Sequence, residues 1–102
     1  MTRSHYITQI THACEQAFDV PDGSVLSRNR SKTIVRARRA AFLVAWRLTG
    51  GNYSELGEWF GRDHKTAAVS VREGERLVVG DGEFEKRVGL AVLNLAIWKM
   101  VG

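Results

Sequence analysis

A second cysteine is missing from this chain of 102 residues. Cys14 therefore has no internal disulfide partner, and its helical spacing with Ile7, Ile10 and Phe18 marks it as a small core residue rather than a reactive thiol. No charged-then-apolar leader opens the sequence. The longest nearly apolar run, Val88 to Val101, is shorter than the roughly 20 residues that span a bilayer, so a cytoplasmic protein with no membrane partner is expected. A Gly-rich Lys-Ser/Thr loop is also absent, which argues against a bound nucleotide. His5, His12 and His64 are scattered, and no spacing supports paired carboxylates or a Ser-His-Asp set, so neither catalysis nor a cofactor is expected. His5 and His12, seven apart on one helix, share a face, but two partly exposed histidines explain them better than a metal site. The most telling deficit is of negative charge. From Ser24 to Gly50 there is no Asp or Glu at all.

That same stretch carries Arg28, Arg30, Lys32, Arg36, Arg38, Arg39 and Arg47. A solvated helix face normally mixes both signs, because like charges at helical spacing repel. Residues 1 to 23 hold one base against three acids and residues 51 to 102 hold seven against eight, so the net charge of +4 comes from the middle. A localised basic zone of this kind is the footprint of a polyanion binder. With 44% hydrophobic residues the chain suffices for one core and one domain, 1–102.

Periodicity reads as all helix. A first helix covers His5 to Phe18, and Asp19-Val20-Pro21-Asp22-Gly23 breaks it. A short helical turn is expected near Ser24 to Arg28. A long helix then runs from about Ser31 to Thr49 with Val35, Ala41, Val44 and Leu48 as its buried stripe, ended by Gly50-Gly51. Ser54 caps a short helix, Glu55 to Phe60. Gly61 allows a sharp turn into a helix that Asp63 opens and Val79 or Gly80 closes, and Asp81-Gly82 separates a last helix, Glu83 to Val101. The expected architecture is a compact all-α bundle of five to six helices containing a helix-turn-helix at about 54–79.

The segment Gly61-Arg62-Asp63-His64-Lys65-Thr66 joins a turn glycine, a capping Asp and a run of short polar groups, which suits a helix start facing DNA. Taken alone, the same letters also make an ordinary capped surface helix. In company they are more specific. Ser27-Arg28-Asn29-Arg30-Ser31-Lys32, Ala37-Arg38-Arg39, Leu56-Gly57-Glu58-Trp59-Phe60 and the Gly61–Thr66 segment follow one another in an order that resembles the C-terminal DNA-binding domain, domain IV, of the bacterial replication initiator DnaA. Ile10 through Val20 resembles that family's first helix, and Phe84, Val88 and Leu93 sit where its closing helix is apolar.

The resemblance implies a TrpR-like helix-turn-helix fold, double-stranded DNA as partner and a division of labour. Arg30 would enter the minor groove, while Asp63, His64 and Lys65 fall on base-reading positions of the major groove. Arg28, Ser31, Lys32, Arg38, Arg39, Arg62 and Thr66 would hold the DNA backbone. The sequence departs from the family in a turn, Phe60-Gly61-Arg62, that is one residue shorter than usual, in Lys65 for Thr, in Ala67 for Val and in Arg39 for a frequent Gln. These changes bear on the preferred sequence more than on DNA binding itself. DnaA initiators carry an ATPase domain, for which this chain has no loop and no room. The expected function is thus a stand-alone, non-enzymatic regulator of replication or transcription that associates with the nucleoid and reads DnaA-box-like sites.

Excess apolar surface points to a second class of function. From Val88 to Val101, eleven of fourteen residues are apolar, more than one stripe requires. Either this helix packs centrally against the first helix and the long one, or Leu90, Leu93, Ile97 and Trp98, with Trp46, form a protein-binding patch. A replication protein or a second copy of the chain, as a homodimer, would then be the partner, and the protein would act as an adaptor.

Overall fold

The computed structural model describes the backbone of residues 3–101 and the side chains of residues 6–97. Five helices follow in order: α1 (Arg3–Ala17), α2 (Lys32–Thr49), α3 (Tyr53–Phe60), α4 (His64–Gly80) and α5 (Gly82–Val101). No strand occurs among the described residues. The long helix α2 lies at the centre, packed against α1 on one side and most extensively against α4 on the other, while α5 closes the bundle across α1 and α4.

Ile7, Ile10, Cys14 and Phe18 are buried as their spacing predicts. Burial pushes the Cys14 thiol up to about 12, with the neighbouring Glu15 charge adding to the effect, so the thiol is uncharged and inert at neutral pH. The predicted stripe of α2 is only half right. Ala41 and Val44 are buried, but Leu48 is 47% exposed and Val35 only partly covered. Instead the continuous run Ala40 to Ala45 is buried, because α2 has neighbours on several sides and a single-stripe pattern describes a helix with only one. Phe42 stacks on Phe60 of α3 with ring centroids 4.2 Å apart, and Phe18 meets Phe84 of α5 edge-on at 5.5 Å.

Two local expectations are corrected. The segment after Pro21 forms successive turns, with Ser24 N–H donating to the Pro21 carbonyl and Ser27 N–H to Ser24, and no helix. Side chains take the backbone groups that a helix would use: the buried Glu15 carboxylate accepts the Val25 N–H at 3.0 Å, and Arg38 takes the carbonyls of Ser24, Val25 and Ser27. The cap of α3 is Asn52 rather than Ser54. Its Oδ1 accepts the Glu55 N–H at 2.8 Å while its Nδ2 donates to the Glu55 carboxylate, a reciprocal pair that Ser54, inside the first turn, cannot make.

Candidate nucleic-acid interface

The turn between α3 and α4 is built by two glycines. Gly61 ends α3 in the left-handed conformation at φ 68°, and its N–H and that of Arg62 return to the carbonyls of Glu58 and Gly57. Gly57 serves differently: a Cβ there would lie 2.5 Å from the Arg62 carbonyl oxygen and 2.9 Å from that of Asp63. Only a residue without a side chain lets the chain fold back so closely on α3. Spacing had singled out Gly61 for the turn; the part of Gly57 shows only when the backbone is in place.

Asp63 then caps α4, its Oδ1 accepting the Thr66 N–H at 2.8 Å. That bond and one from the Thr66 hydroxyl, with the Lys65 charge adding to them, hold the Asp63 carboxyl below the usual aspartate range. His64, Lys65 and Thr66 are exposed on the first turn, while Ala67, Ala68, Val71 and Gly74 face the core. Gly74 lets α4 approach α2 closely, since a Cβ there would lie 3.1 Å from the Arg39 carbonyl oxygen and from Leu43 Cβ.

The result is one groove of about 690 Å³ between the loop, α2 and α4. Six cations line it: Arg28, Arg30, Arg38, Arg39, Arg62 and Lys65, joined by Thr66, Ser70, Val35 and Val69, with no acidic residue in the lining. Lys32 lies in the adjoining groove with Arg30 and Arg39. Ser31 is exposed at the start of α2, its N–H donating to Asn29 Oδ1 at 2.8 Å. Asp63 and His64 are outside the groove lining, exposed at the same helix start.

Two of the expected phosphate ligands have other partners. Arg38 Nε donates to Val25, and its Nη2 donates to the carbonyls of Ser24, Ser27 and Asn29. Arg62 donates to Phe60, Gly61 and, at 2.7 Å, Ser27. Both guanidinium pKa values are lowered, first by burial and then by a neighbouring arginine, Arg62 acting on Arg38 and Arg28 on Arg62. These bonds tie both side chains to the loop that carries Arg28 and Arg30, and both also line the cationic groove. Sequence could not separate Arg38 from Arg39, since the two differ only in which way the helix turns them.

Val69 was not anticipated. It is 52% exposed, one helical turn beyond Lys65, and lines the cationic groove. Its i,i+4 relation to Lys65 was the available signal. On the far helix, Leu90, Leu93 and Ile97 are about half exposed at 45%, 54% and 50%, whereas Val88, Ala91 and Phe84 are buried. Trp46 is partly covered and stacks on Tyr53 at 6.1 Å. The side chain of Trp98 lies outside the described residues, as does that of His5. His12 pairs with Asp22 at 3.4 Å. No helix among the described residues is long and apolar enough to cross a membrane.

This arrangement has known relatives. The family described as the bacterial dnaA protein helix-turn-helix matches residues 7–73. Chromosomal replication initiator protein DnaA of Citrifermentans bemidjiense is 34% identical over 88 residues, 85% of this chain and 19% of that protein. The protein of the same name from Bartonella quintana is 35% identical over 85 residues, 82% of this chain and 17% of the relative, and that of Agrobacterium fabrum is 33% identical over 85 residues. The chain thus spans about a fifth of the length of the curated relatives it matches. Residues 7–73 take in most of α1, the loop before α2, all of α2 and α3, the turn and the first part of α4, and the chain belongs to the bacterial DnaA helix-turn-helix family.

Proposed function

We propose that this protein binds double-stranded DNA sequence-specifically, through the cationic loop and the start of α4, and thereby regulates replication initiation or transcription without hydrolysing ATP. The observation that carries this reading is the groove with six cations and no acid, beside a capped helix start displaying His64, Lys65 and Thr66. The name shared by the relatives, chromosomal replication initiator, favours replication control. Arg30 is the candidate for the minor groove, and Asp63, His64 and Lys65 for base edges in the major groove. Arg28, Ser31, Lys32, Arg39 and Thr66 are the candidates for phosphates. Val69 adds a methyl surface suited to the C5-methyl of thymine. Selection from random duplexes tests this: enrichment of a DnaA-box-like motif is expected, and recovery of no motif would remove sequence specificity.

A second reading, an adaptor that contacts a replication protein or its own copy through α5, is favoured by the half-exposed Leu90, Leu93 and Ile97. Sedimentation of the protein and of Leu93→Asp decides the self-association part. A dimer that the variant dissolves without unfolding supports it; a monomeric parent protein removes it.

A further inference from the structure

We propose that Arg62 and Arg38 are positioning residues which lock the cationic loop to the helix-turn-helix turn through one shared acceptor, the Ser27 carbonyl. This rests on the duplex-binding reading. The Ser27 oxygen accepts from Arg62 Nη2 at 2.7 Å and from Arg38 Nη2 at 2.8 Å. Arg62 comes from the turn between α3 and α4, where its Nη1 also holds the carbonyls of Phe60 and Gly61. Arg38 comes from α2 and reaches further along the loop to Val25 and Asn29. Two like charges drawn to one oxygen repel, and the carbonyl dipoles around them offset that repulsion. The outcome is a loop backbone fixed on both sides of Arg28, with Arg28 and Arg30 themselves left exposed. The loop and the turn are 35 residues apart in sequence, and this bond joins them directly.

The planar fork of arginine is essential to this role, since lysine offers a compact charge that cannot reach carbonyls in several directions at once. A residue that met a phosphate only as a point charge would tolerate Lys, because the charge persists. The charge-preserving Arg62→Lys therefore separates the two roles.

In free Arg62→Lys, nitrogen-15 relaxation should show the Asn29 and Arg30 amides becoming mobile while circular dichroism stays that of the parent protein. Affinity for the selected duplex should fall about tenfold, the scale of one good charged contact. The slope of affinity against salt should be unchanged. Arg30→Ala should lose a similar factor, and Arg30→Ala/Arg62→Lys should be no weaker than Arg30→Ala alone, because Arg62 acts through the loop. Loop amides as rigid as in the parent, or losses that multiply in the double variant, would overturn the proposal. Arg38→Lys repeats both readings from the α2 side and serves if Arg62→Lys does not fold. A parent protein without duplex affinity would defeat the DNA-binding reading, while the relaxation result still decides whether these arginines hold the loop.

Discussion

The Asp63 carboxylate does two things that pH can separate. Its pKa is lowered chiefly by the Thr66 N–H it caps, so relative to the unfolded chain its charged form is favoured in the fold. A group with a depressed folded pKa contributes stability above its unfolded value of about 3.9 and loses it as pH falls through the folded value. Asp63→Asn keeps a capping oxygen but does not titrate. The melting temperature of the parent protein should exceed that of the variant at neutral pH, and the difference should close below about pH 4. A pH-independent gap would mean that the charge itself adds nothing. His64→Ala should cost roughly 1–3 kcal/mol on the preferred duplex and far less on random DNA, since a base contact counts only where its base is present. Equal losses on both would make His64 a phosphate contact. Arg39→Ala should weaken all duplexes alike and shallow the salt slope by about one unit.

Helices depend on close approaches that substitutions at single positions expose. In an exposed helix Ala is favoured over Gly by about 1 kcal/mol, yet Gly57→Ala should destabilise by about 1–3 kcal/mol, because its Cβ would strike the Arg62 and Asp63 carbonyls. Chemical denaturation checks the sign; a stabilised variant would mean that the turn relaxes freely. Leu93→Ala on α5 should cost less than about 1 kcal/mol, against about 2–5 for Leu56→Ala in the core, because Leu93 is 54% exposed and Leu56 fully buried. The helices themselves were legible in the sequence, since Gly50, Gly61 and Asp63 punctuate runs of helical period strongly enough to place their ends. Other features were not. Which faces of α2 are covered depends on α4 and α5, which arrive from far along the chain. The turns after Pro21 depend on Glu15 and Arg38, whose bonds to them cross ten or more residues. The backbone bonds of Arg38 and Arg62 were hidden for the same reason: their charges are visible in the sequence, their acceptors only in the fold.

At the scale of the whole molecule, the loop, α2 and the start of α4 gather cations on one groove, while Leu90, Leu93 and Ile97 stand half exposed on α5. Arg28, Arg30, Arg39 and Lys65 line this groove and Lys32 the adjoining one, with Arg38 and Arg62 bonded to the loop backbone in its wall. About five neutralised phosphates correspond to a slope of log affinity on log salt of about −4 to −5, at roughly −0.9 per phosphate. Titrating a short duplex with the protein over a series of salt concentrations measures that slope directly. A value near −4 to −5, shallower by about one unit in Arg39→Ala, is expected of a DNA-binding face built on this groove. A nearly flat slope, unchanged in Arg39→Ala, would contradict it.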